Sequence, residues 1–140
     1  MSEAQKLRIG EHVPMLVCTD VQASIKFYCD LLGFEVADRM DDVGLTGWAS
    51  LTRGTNRIML TSASYLKAPE KNEDGSLDSD VIHYFHCEDV VGIHSHLKNA
   101  GISVSDFYVR FYRKKEIEFF DPDGRLLIFG EDTEEEPTPE

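Results

Sequence analysis

A chain of 140 residues with 41 % apolar and 29 % charged side chains has the composition of one soluble globular domain with a substantial core. No apolar run approaches the roughly 20 residues that span a bilayer, so no membrane partner is expected. Fourteen basic against 26 acidic side chains leave a net charge of −12, which argues against nucleic-acid phosphates and favours a cationic or neutral ligand.

The segment Met1 to Gly10 is polar and lacks the apolar stretch of a signal peptide, and the three cysteines Cys18, Cys29 and Cys87 form no C-x-x-C pair. Both features fit a reducing cytoplasm. His12 to Thr19 is apolar and β-branched and reads as a strand ending at Asp20, whose carboxylate can cap a helix. Val21, Ile25, Tyr28, Leu31 and Leu32 follow at helical spacing, with Gly33 as the helix end. Phe34 to Met40, Thr46 to Thr52 and Arg57 to Thr61 read as three further strands, the first two joined by a turn at Asp41, Asp42 and Gly44, the last two by Arg53-Gly54-Thr55-Asn56. The order is βαβββ.

Ser64 to Asp80 carries Pro69, Asn72 and Gly75 with no sustained period and reads as a linker. Beyond it the pattern returns. Cys18-Thr19-Asp20-Val21 recurs 69 positions on as Cys87-Glu88-Asp89-Val90, and Leu32-Gly33-Phe34 recurs as Ala100-Gly101-Ile102. A second βαβββ unit is expected from strands at Val81 to Cys87, Ile102 to Phe107, Lys114 to Phe120 and Leu126 to Gly130, with a helix from Val90 to Gly101. Asp121-Pro122-Asp123-Gly124 reads as a turn with a glycine bulge, pairing Phe120 with Leu126 and Glu118 with Ile128. That register buries Ile117, Phe119, Leu127 and Phe129 and spares two glutamates an unpaired burial. Tyr108 to Arg113 reads as a loop. The sequence predicts one domain over 11–132, with modules at about 11–63 and 81–132, and flexible termini at 1–10 and 133–140. The acidic end from Glu131, with six acids and no base, is expected to be a disordered tail.

Two βαβββ modules, Val13-Pro14-Met15-Leu16 followed by Thr19-Asp20-Val21, the run Phe27-Tyr28-x-x-Leu31-Leu32-Gly33-Phe34, and Asp121-Pro122-Asp123-Gly124 with Phe129-Gly130-Glu131 resemble the vicinal oxygen chelate superfamily. That superfamily includes glyoxalase I, extradiol dioxygenases and bleomycin-resistance proteins. The resemblance implies an α+β fold in which curved mixed sheets form a cup, a homodimer, and in catalytic members four metal ligands on the cup wall. Aligned on these motifs, the ligand positions hold Val13, Met59, His83 and Ile128. Valine and isoleucine have no lone pair and methionine suits hard ions poorly, so neither a metal nor another cofactor is expected.

Strand alternation and the hairpin at Gly54-Thr55 place Trp48, Ser50, Arg57 and Met59 on one face. The expected small-molecule site combines Trp48, Arg57, Met59, His83, Phe85, Tyr112, Glu116, Glu118 and Ile128, with Met15 nearby. Tyr112 stands where the resemblance implies a drug-stacking tryptophan. Aromatic walls and inward glutamates fit a planar, cationic ligand that is sequestered rather than transformed. The alternatives are a glyoxalase- or dioxygenase-like metalloenzyme with a rearranged site at His83, Glu116 and Glu118, and an interaction module using Tyr108 to Tyr112.

Overall fold

A computed structural model describes residues 2–41, 47–63 and 66–139. The first module runs β1 (Met15–Val17), α1 (Val21–Lys26), a π-helical turn (Phe27–Leu31), β2 (Glu35–Met40), β3 (Trp48–Arg53) and β4 (Asn56–Thr61). The second runs β5 (His83–His86), α2 (Val90–Asn99), β6 (Tyr108–Val109), β7 (Lys114–Phe120) and β8 (Leu126–Asp132). Each module makes a mixed four-stranded sheet, ordered β1-β4-β3-β2 and β5-β8-β7-β6. The fold is α+β and its repeat is the one the sequence carries. Thr46, the turn residues Asp42 and Gly44, and the linker residues Ser64 and Tyr65 lie outside the described residues.

The caps act as their chemistry dictates. Asp20 accepts the Ala23 N–H at 3.1 Å and Asp89 accepts the Gly92 N–H at 3.1 Å, each satisfying a donor that a first helical turn leaves open. Gly33, at φ 76°, ends the π-helical turn in the left-handed region. Val21, Ile25 and Tyr28 face the core, as their spacing predicts.

The antiparallel registers also follow from their turns. Trp48 pairs with Thr61, Ser50 with Met59 and Thr52 with Arg57, so these side chains share the face turned away from the helices, here the cup face. Ala49, Leu51, Ile58 and Leu60 take the helix face and are buried. Phe120 pairs with Leu126 and Glu118 with Ile128, the register the glycine bulge demands, and Gly124 has φ 88°. Ile117, Phe119 and Leu127 are accordingly buried under the helices. Phe119 joins the modules, its ring 6.3 Å from Phe27 and 5.5 Å from Phe129.

Three segments depart from the sequence expectation. The expected strand at Ile102 to Phe107 shrinks to β6 one residue later, because Ser105 diverts the chain: its backbone N–H bonds Glu118 O at 3.0 Å while its hydroxyl engages the Glu118 N–H at 2.9 Å. The loop expected at Tyr108 to Arg113 therefore begins with a strand pair. The acidic end is also more structured than expected. β8 continues to Asp132, Glu131 accepts the Val90 N–H at 2.7 Å, and Thr138 exchanges two hydrogen bonds with Val109. Lys115 draws in Glu135 at 2.9 Å, so the charges expected to keep the tail solvated hold it along the β6 edge.

A buried polar cluster fastens the two modules. Asp121 Oδ2 accepts from the Tyr28 hydroxyl at 2.7 Å and from Arg125 Nη1 at 3.1 Å. Asp123 accepts from the Thr19 hydroxyl at 2.7 Å, and Arg125 also donates to the Val17 carbonyl. Burial and the neighbouring Asp121 raise the Tyr28 phenol well above its ordinary range, so it stays a donor.

Candidate functional site

On the cup face of the second sheet one carboxylate collects three donors. Glu116 is only 1 % exposed. Its Oε2 accepts from the Tyr84 hydroxyl at 2.6 Å and from the Tyr112 hydroxyl at 2.5 Å, and its Oε1 accepts from Arg110 Nε at 3.0 Å. A buried carboxylate requires such compensation, since an unpaired one costs several kcal/mol. Arg110 also reaches Glu118 at 3.3 Å and lies 4.2 Å over the Tyr108 ring. Burial and the Glu116 bond push the Tyr112 phenol up to about 12, and the same causes raise Tyr84 further.

Tyr84 occupies this place because of the parallel β5–β8 ladder. Tyr84 pairs with Ile128, Phe85 with Phe129 and His83 with Leu127. This corrects the sequence reading of β5, which put His83 and Phe85 on the cup face beside the glutamates. Phe85 stacks on Phe129 at 4.8 Å on the core side, and His83 shares that face. Two physical reasons select this register. Phe85 gains an aromatic partner in the core, and Gly130 leaves room for the Tyr84 ring, where an added Cβ would come within 2.0 Å of the hydroxyl oxygen. Burial lowers the basicity of His83, with the Asp121 charge working in the opposite direction.

The remaining predicted residues divide between two places. Tyr112, Glu116, Glu118 and Ile128 gather on the second sheet, Glu118 and Ile128 as cross-strand partners. Trp48 and Met59 stand on the cup face of the first sheet, with Arg57 beside them, held to Ser50 at 3.4 Å and to Glu11 at 3.0 Å. A cavity of about 920 Å³ follows the seam between the modules, lined by Met15, Val17 and Arg57 on one side and by Ile82, His83, Tyr84 and Phe85 on the other. A second cavity, of about 1020 Å³, lies at the Gly33 end of the seam, lined among others by Arg53, Phe85, His86, His96 and Lys114. Neither is lined by Trp48, Met59, Tyr112, Glu116, Glu118 or Ile128.

Sequence reasoning missed Tyr84 and Arg110. The signal for Tyr84 was Gly130, a glycine inside a strand, which marks a close approach. Arg110 lay in the stretch read as a loop. The rearranged metal site of His83, Glu116 and Glu118 does not form, since His83 points to the opposite face of the sheet from both glutamates. Val13 and Ile128 offer no lone pair, and among the described residues no three His, Cys, Asp or Glu side chains converge as a metal site would need. The residues present do not fit the metal of the catalytic relatives.

Comparison with known proteins agrees with this architecture. The family model for the Glyoxalase/Bleomycin resistance protein/Dioxygenase superfamily matches residues 11–129. Among solved structures the chain is similar to SMU.1112c, at 28 % identity and a TM-score of 0.71 over 89 % of this chain and 99 % of that one. It is similar to the glyoxalase family protein from Enterococcus faecalis, at 24 % identity and a TM-score of 0.70 over 86 % and 96 %. The bleomycin resistance determinant encoded on the transposon Tn5 shares the fold at 20 % identity and a TM-score of 0.64 over 89 % and 98 %. A comparison with curated proteins returned no match.

Proposed function

The chain belongs to the Glyoxalase/Bleomycin resistance protein/Dioxygenase superfamily, and from that premise we propose that it is a metal-independent binding protein that sequesters a planar, cationic small molecule in its cup. The observation that carries this reading is the composition of the cup face. Where the resemblance places the metal ligands of catalytic members, this chain has Val13, Met59, His83 and Ile128, of which only His83 is a good donor, while Tyr84 and two glutamates stand on the same sheet as Ile128, with Tyr112 on the β6–β7 connection. One guanidinium serves both glutamates, so the cluster keeps an excess negative charge beside aromatic rings. Such surroundings attract a cation by charge and by its contact with ring faces.

A homodimer belongs to the same reading. Met15 is 46 % exposed and Met40 53 % exposed, on strands whose apolar surface a second copy would cover. The protein is expected to act inside the cell, in the cytoplasm, as a binder of small molecules and not of nucleic acid.

The chain has one tryptophan, Trp48, so its fluorescence reports on the cup. Titration with proflavine, a planar cation, is expected to change that fluorescence and to raise the melting temperature. At one hundred times the dissociation constant the stabilisation is about 2.7 kcal/mol. Anthracene-2-carboxylate, planar and anionic, is expected to do neither. A response to the anion and none to the cation would overturn the reading, as would stoichiometric zinc, nickel, iron or manganese in protein purified without chelator. Light scattering that finds a monomer at every concentration would remove the dimer.

A further inference from the structure

We propose that the two glutamates of the cup have different tasks: Glu116 is a positioning residue that locks the Tyr84 and Tyr112 rings as a recognition platform, and Glu118 is the carboxylate that meets a ligand's cationic group. The ligand-facing half rests on the reading above. The positioning half does not.

The division follows from accessibility and hydrogen bonding. Glu116 is sealed from solvent, and its two oxygens already hold three donors. A cation could reach it only by displacing a tyrosine or Arg110, leaving a buried donor unsatisfied. Glu118 is 39 % exposed and holds Arg110 through one oxygen at 3.3 Å, so its second oxygen is open to a new partner.

The tyrosines are built for the complementary role. Their hydroxyls converge on one carboxylate oxygen, which ties both phenol rings to the same buried group. The Tyr84 ring lies over the bare Cα of Gly130, in space that any side chain there would fill. Its ring lines the seam cavity together with Met15 and Arg57 of the first module, while Tyr112 remains 48 % exposed on the β6–β7 connection. A platform prepared in this way spares the ligand the cost of ordering it. Arg110 completes the lock by neutralising Glu116; the charged and titratable groups facing the tyrosines are Glu116, Arg110 and Glu118, with the His86 ring 5.2 Å from Tyr84 and Cys87 beyond it.

The positioning half is tested without ligand by NMR of protein labelled at the tyrosine Cζ. In the wild type, Tyr84 and Tyr112 should stay un-ionised through pH 11. In E116Q at least one should titrate at a clearly lower pH than in the wild type, with burial still holding it above its ordinary value of 10. Y84F and Y112F assign the two signals and serve if E116Q fails to fold. Tyrosine titrations that are the same in wild type and E116Q would overturn the positioning role. The ligand-facing half is tested with proflavine. E118Q should weaken binding about tenfold, the size of one charge-assisted hydrogen bond, while leaving the Tyr84 titration unchanged. Binding unaffected by E118Q would overturn that role, and so would a wild type that does not bind proflavine. In the latter case the titrations still decide the role of Glu116.

Discussion

Replacing Arg125 by methionine should cost the protein about 3–5 kcal/mol, because it breaks a buried ion cluster from the cationic side. Arg125 is 8 % exposed and sits between two carboxylates that are buried as deeply, Asp121 at 3.1 Å and Asp123 at 3.6 Å. Methionine keeps most of the stem packing but removes the only base of the three, and with it the donor to the Val17 carbonyl. Asp123 Oδ2, which makes no hydrogen bond, would then also lose its ion pair. Urea denaturation at pH 7 measures the loss as a fall in midpoint at constant slope. With a slope near 1.5 kcal/mol per molar, the midpoint should drop by roughly 2–3 M. Tyr28→Phe should cost about 1–3 kcal/mol, since it takes a hydroxyl from the same Asp121 oxygen. The double variant should depart from the sum of the two, because both donors serve one acceptor. A loss below about 1 kcal/mol for Arg125→Met would mean that the ion cluster adds little and that the apolar contacts between the modules suffice to hold them.

Gly130→Ala should displace the Tyr84 ring from Glu116 and destabilise the fold by about 1–3 kcal/mol; unchanged stability together with an unchanged Tyr84 resonance would contradict the close approach. Phe119→Ala removes the ring that bridges Phe27 and Phe129 and should cost about 3–5 kcal/mol in the same denaturation assay. Burial pushes the Cys18 thiol from 9.0 up to about 11. An unfolded chain therefore loses this proton at a pH where the folded chain keeps it, so the contribution is complete below pH 9 and is lost as pH rises towards 11. The loss reaches about 2–3 kcal/mol at the upper end of that window. Cys18→Ala should flatten stability against pH in that window; an unaltered slope would assign the alkaline loss to other groups, such as Cys87.

The two βαβββ units, the caps at Asp20 and Asp89, and the antiparallel registers across the turns at Gly54 and Gly124 are legible in the sequence alone. In β3–β4 and β7–β8 the turn lies between the paired residues, so its geometry decides which side chains share a face: Trp48 with Met59 across the Gly54 turn, and Glu116 and Glu118 with Ile128 across the Gly124 turn. Tertiary structure decided the rest. β5 and β8 pair in parallel with α2, β6 and β7 between them, and no turn links their registers. One residue of register separates a cup holding His83 and Phe85 from one holding Tyr84. That choice was made by the Phe85–Phe129 stack on the core side and the space above Gly130 on the other. The same holds for Arg110 and for the acidic tail, whose partners are far away in sequence and are met only when the sheet has formed. Local chemistry fixes which groups a strand displays, while the direction in which a parallel strand displays them depends on packing partners that only the folded chain brings together.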